Sequence, residues 1–99
     1  MTIKVTRLHD TLTIAISGEF NFNMRTEFRN GYEKQPPGIK KYILDFSAVT
    51  WMDSSALGML MLLREAVGGN SADITIAGAK SGVLSILKVT QFHKVFKIV

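Results

Sequence analysis

A carboxylate followed by two hydroxyls, Asp53-Ser54-Ser55, stands at the head of the apolar run Ala56 to Leu63, which only Gly58 interrupts. Three chemistries are open to such a cluster. Asp or Ser ahead of an apolar run is the ordinary way to begin a helix, because a short side-chain oxygen can accept from the free backbone N–H groups of the first turn. The same free N–H groups and the positive end of the helix dipole favour an added anion, so a serine there tolerates a phosphoryl group. A nucleophilic serine would need a base. His9 and His93 are the only imidazoles, and neither neighbouring sequence resembles the Gly-x-Ser-x-Gly elbow of serine hydrolases. Enzymatic activity is therefore not expected.

Helix arithmetic separates the two serines. At about 100° per residue, Ala56, Leu60, Leu63 and Val67 share one face, with Met59 beside them. Ser54, Gly58, Met61 and Glu65 fall opposite, while Ser55 shares a flank with Met59, Leu62 and Ala66. Ser54 is thus expected to face outward and Ser55 to support the turn. A phosphoryl group adds about −1.5 to −2 charges at pH 7. Beside Asp53 it would create a strongly negative spot on a surface formed by Gly58 and Met61, and a partner docked there would be expelled.

The elements that must position this cluster follow from periodicity. Ile3 to Arg7 and Thr11 to Gly18 alternate apolar with polar residues and predict two strands, paired as an antiparallel hairpin around His9-Asp10. Met24, Phe28 and Tyr32 recur every fourth residue and predict a helix capped by Asn23 and stopped before Pro36-Pro37-Gly38. Tyr42 to Phe46 reads as a buried central strand ahead of a turn at Ser47-Ala48. A helix from Ser54 to Val67 ends at Gly68-Gly69-Asn70, a strand covers Asp73 to Gly78, a helix capped by Ser81 runs to Thr90, and Val95 to Val99 is a last short strand. Strands alternating with helices need crossovers, which favours parallel pairing in an α/β fold. Trp51 fits either the core or its rim.

Composition narrows the function classes. A chain of 99 residues, 46% hydrophobic and 20% charged, has the balance of one globular domain, expected here to span 1–99. Without cysteine it can hold no disulfide, thiol nucleophile or thiolate metal site, and two histidines make a metal site or metal cofactor unexpected. The segment from Met1 to Asp10 lacks the apolar core of a secretory signal, and no apolar run approaches the roughly 20 residues that span a bilayer. Cytoplasm is the expected location, with no membrane partner. The net charge of +4 is scattered, with Arg25 and Arg29 sharing a helix with Glu27 and Glu33, so direct nucleic-acid binding is not expected. In Gly78-Ala79-Lys80-Ser81, Ala79 and, five residues earlier, Ile74 stand where a phosphate-binding loop requires its two glycines, so the segment reads as a strand-to-helix turn capped by Ser81.

The stretch Asp45 to Gly58, and above all Met52-Asp53-Ser54-Ser55-Ala56-Leu57-Gly58, closely resembles the signature of the STAS family of the anti-sigma factor antagonist type. Ile14 to Glu19 is similar to that family's second strand and Gly-Glu turn, and Ile74 to Gly78 to its fourth strand. The resemblance implies a single STAS domain: a mixed sheet of about five strands, with an N-terminal hairpin, packed with about three to four helices. It implies that Ser54 is a phosphoacceptor, that a serine kinase of the anti-sigma type is both modifier and partner, and that a PP2C-type phosphatase restores the free serine. Asp53 would then cap the helix and shape kinase recognition, with Gly58 and Met61 as docking surface. Two departures stand out. Ala56 replaces the family's usual glycine and should preserve the helix. Phe20-Asn21 replaces a Leu-Asp pair in a loop that borders the family's partner-binding face, so Phe20, Asn21 and Asn23, with Phe22, are expected to define a partner other than an ordinary anti-sigma factor. The alternative is a constitutive STAS adaptor or ligand-binding module that keeps the motif for its cap alone.

Overall fold

The computed structural model describes residues 2–99; Met1, part of the N-terminal segment considered above, lies outside them. The order is β1 (Thr2–Leu8), β2 (Thr11–Phe20), α1 (Arg25–Glu33), β3 (Lys41–Met52), α2 (Ser54–Ala66), β4 (Ile74–Ala77), α3 (Ser81–Val89) and β5 (Lys97–Ile98). Short 3-10 turns lie at Phe22–Met24, Gly69–Ser71 and Phe92–Lys94. The five strands form one sheet in the order β1-β2-β3-β4-β5, antiparallel between β1 and β2 and parallel thereafter. This is the mixed α/β sheet with an N-terminal hairpin that the spacing predicts.

Alternation explains which face is covered. Leu12, Ile14 and Ile16 of β2, Leu44 and Phe46 of β3, and Ile74 and Ile76 of β4 are buried. They meet the stripes Met24/Phe28/Tyr32, Ala56/Met59/Leu60/Leu63 and Val83/Leu87 in one apolar cluster. Gly31 lets α1 lie close on the hairpin: a Cβ there would come within 3.0 Å of Val5 Cγ2. No helix of the described residues is long and apolar enough to cross a membrane.

Five local expectations need correction. The central strand does not stop at Phe46 but runs to Met52. Asp45 Oδ1 accepts hydrogen bonds from Ser47 N (3.0 Å) and Ser47 Oγ (2.7 Å), and the register steps from Ala15↔Asp45 to Ser17↔Ala48, so the turn-prone residues form a bulge inside the strand. Likewise β2 continues past Gly18 to Phe20. Asn21, not Asn23, caps the first helical turn: its Oδ1 accepts from Asn23 N at 2.9 Å. Ser81 is the first helical residue of α3 rather than its cap, the cap position being Lys80. The final strand is limited to Lys97–Ile98.

Parallel pairing brings the carboxyl ends of β2, β3 and β4 to one edge, with Phe20 opposite Met52 and Asp45 opposite Ala77. The three strand-to-helix junctions therefore point the same way, those after β2 and β3 side by side and that after β4 set back beside Ser47. Gly78 holds one of them. Its φ is +78°, and an added Cβ would lie 3.1 Å from Ser47 Cβ and 3.3 Å from Ser47 N. Gly78→Ala is expected to cost about 1–2 kcal/mol, read as a lower urea midpoint at unchanged m-value; an unchanged midpoint would contradict this packing.

Candidate functional site

The site begins where β3 ends. Asp53 N donates to Phe20 O at 3.4 Å, tying the end of β3 to the end of β2. Asp53 itself is extended (φ −102°, ψ 179°) and caps α2. Its Oδ1 accepts from Ser55 Oγ at 2.5 Å and from Ala56 N at 3.1 Å. Chiefly the Ser55 hydroxyl, and then backbone N–H groups of Ala56, Ser55 and Phe22, hold the Asp53 carboxyl below its ordinary range against a smaller opposing effect of desolvation.

This arrangement distinguishes the two serines chemically. Ser55 is half-buried and donates its hydroxyl hydrogen bond to Asp53, whereas Ser54, the first residue of α2, is exposed and is not among the carboxylate's partners. A modifying group can reach Ser54 without breaking the cap.

A depressed pKa has a definite consequence for stability. Asp53 stabilises the fold fully above the unfolded carboxyl value, about 3.9, and progressively less as the pH falls through its lower folded value. Asp53→Ala should accordingly speed amide exchange at Ala56 and make the acid-side loss of stability, below about pH 4, shallower than in the native chain. Asp45, held low by the Ser47 hydroxyl and then the Ser47 N–H, retains its own share of that acid sensitivity in the variant. Superimposable urea titrations of both proteins at every acidic pH would refute the contribution assigned to Asp53.

The remaining expected site residues are placed unevenly. Gly58 is exposed, with open space where a Cβ would stand. Met61 is half-buried and packs against the core cluster, so it contributes less outward surface than helix arithmetic implies. Phe20 is a correction. It is fully buried, its ring 5.3 Å from Phe28 and 5.8 Å from Phe46, and it cannot be a surface contact for a partner. Asn21 is half-buried and uses its side chain as a cap, while Asn23 is exposed.

Three exposed groups flank the site, of which only Phe22 is expected from sequence as a contact. Trp51 is half exposed, and Glu19 is its neighbour across the ladder. Phe22 is 54% exposed beneath the Arg25 guanidinium, which lies 3.9 Å from the ring centroid. Leu62 is 63% exposed. Phe22 and Leu62 help line a groove of about 400 Å³ between α1 and α2, whose wall also includes Ser55 and Gly58. The flank that Ser55 shares with Leu62 is visible on a helical wheel, but the docking of α1 beside it is not.

The family model described as "Mlab, STAS domain" matches residues 3–99. A STAS-domain-containing protein of Pseudomonas aeruginosa strain UCBPP-PA14 is 42% identical over 87 residues, covering 88% of this chain and 86% of that protein. The fold is similar to SpoIIAA of Bacillus, an anti-sigma factor antagonist. Its unphosphorylated form gives a TM-score of 0.74 at 15% identity, covering 99% of this chain and 87% of that one. Its phosphorylated form gives 0.70 at 12% identity, covering 99% and 91%. A sulfate transporter family protein from Wolinella succinogenes gives 0.76 at 19% identity, covering 97% and 83%. Signature, sheet order and the match along almost the whole chain agree: the chain belongs to the STAS domain family.

Proposed function

We propose that this STAS domain is a non-enzymatic, phosphorylation-gated protein-binding regulator in a cytoplasmic bacterial partner-switching pathway. With Ser54 free it binds a regulatory partner, a serine kinase of the anti-sigma type or another regulatory protein. Phosphorylation of Ser54 releases the partner, and a PP2C-type phosphatase reverses the change. The observation that carries this reading is the division of labour at the head of α2. Asp53 and Ser55 satisfy one another and the helix start, leaving the exposed Ser54 hydroxyl free for modification. Support also comes from SpoIIAA, which shares the fold and is known in unphosphorylated and phosphorylated forms.

A constitutive adaptor or ligand-binding STAS module is the second reading, favoured by the likeness to a sulfate transporter family protein. The two differ in one result. Unphosphorylated and Ser54-phosphorylated protein, used as baits at the same salt concentration, should retain different partners, with at least one lost on phosphorylation. Identical partners on both baits would leave the constitutive adaptor.

A further inference from the structure

We propose that the groove between α1 and α2 docks an acidic, amphipathic helix of the regulatory partner; this rests on the phosphorylation-gated reading above and supplies the partner's chemistry. The groove floor and walls are apolar, formed by Phe28, Met59 and the exposed rims Phe22 and Leu62. Gly58 leaves the α2 backbone open to close approach. Charge defines the other requirement. Arg25 and Arg29, one turn apart on α1, line the groove, and none of its lining residues is acidic. Arg25 is held in place, stacked on Phe22 and donating from Nη1 to Phe22 O at 3.1 Å. Arg29 has only a loose, exposed pairing with Glu33 at 3.8 Å. An anionic segment is complementary to that rim, and apolar side chains at helical spacing are complementary to the groove.

The shape favours a polypeptide over a small anionic amphiphile. Leu62 and Phe22 stand above the floor with more than half their surface open, so the site is a surface to be covered rather than a cavity that encloses a ligand. Its position also gives phosphorylation a direct mechanism. Ser54 lies one helical turn before Gly58, and a phosphoryl group there would place about −1.5 to −2 charges at the end of a groove occupied by carboxylates. Repulsion at close range then drives release.

The test uses full-length Ser54→Ala in its host, with a photo-crosslinking amino acid at position 62 and, separately, at position 51. The joined partner peptide is identified by mass spectrometry and then synthesised as the probe. From position 62, the joined segment should carry net negative charge with apolar residues at helical spacing. Its affinity should fall about 10-fold or more for R25E/R29E and for Leu62→Ser, and stay within about twofold for Lys4→Glu, an exposed residue of β1 outside the groove lining. These positions are exposed, so the fold is retained. A basic or neutral segment, a lipid adduct, or equal losses for R25E/R29E and Lys4→Glu would overturn the proposal. A partner joined from position 51 but never from 62 rejects the groove and leaves gating intact. A second protein keeps Ser54 and carries the same photo-crosslinking residue at position 62; equal crosslinking from its Ser54-phosphorylated form and from Ser54→Ala rejects gating and leaves the groove intact. No partner at either position rejects both.

Discussion

Ser54→Ala should bind the partner whether or not the kinase is active, while Ser54→Glu should bind about 30-fold more weakly or worse, since like charges brought together across an interface cost several kcal/mol. The asymmetry comes from the local geometry. Ser54 is exposed in the first turn of α2, where alanine removes only a hydroxyl outside the Asp53 capping bonds. Glutamate puts a charge on the same spot beside the Asp53 carboxylate. Near-wild-type folding is expected of both variants, because an acidic residue in the first turn is favoured by the helix dipole. Equal affinities measured by titration calorimetry would remove electrostatic gating at this residue. Ser55→Ala gives the contrasting result. It deprives Asp53 of its 2.5 Å hydrogen bond, and its first effect is on the helix start rather than on the charge of the docking face.

Phe20→Ala should destabilise the protein by about 3–5 kcal/mol, a large part of the 5–15 kcal/mol typical of a domain. Its ring is fully buried between Phe28 and Phe46, at a tilted 53° to the first and edge-on to the second. Any loss of partner binding in this variant would therefore follow from unfolding and would disappear if affinity were expressed per folded molecule. Phe22→Ala is the informative neighbour. With about half its surface in solvent, Phe22 contributes little to the core, so its replacement should leave the urea midpoint nearly unchanged. The opposite ranking of the two midpoints would mean that the end of β2 is oriented differently.

These two phenylalanines also show what could be read from sequence. The period-two hairpin, the helical stripes and the outward position of Ser54 depend on spacing within one element, and local spacing survives folding. Phe20 depends on where β2 ends. If the strand stops at Gly18, Phe20 belongs to a loop; if it continues, Phe20 keeps the even parity of Leu12, Ile14 and Ile16 and enters the core. Only pairing with β3, which carries β2 as far as Phe20↔Met52, decides between them.

The same cause hid the true length of β3. Ser47-Ala48 looks like a turn in isolation, and Ser47 N does make a turn-like hydrogen bond to Asp45 Oδ1, but the flanking pairs with β2 absorb it as a bulge. Asn21 and Asn23 are equivalent as capping residue types, and the choice between them depends on where the chain leaves β2. The α1–α2 groove is tertiary throughout. Sequence places Ser55 and Leu62 on one flank of α2, but only the packed structure brings Phe22 and Arg25 to face them.

The central claim is that Ser54, and not its neighbour, is the modified residue. Protein purified from its host with and without the cognate phosphatase, with phosphate mapped by peptide mass spectrometry, tests it most directly. The expected result is phosphate on Ser54 that accumulates when the phosphatase is absent, with Ser55 unmodified. Phosphate on Ser55, or an unmodified Ser54 while the kinase is expressed, would contradict it.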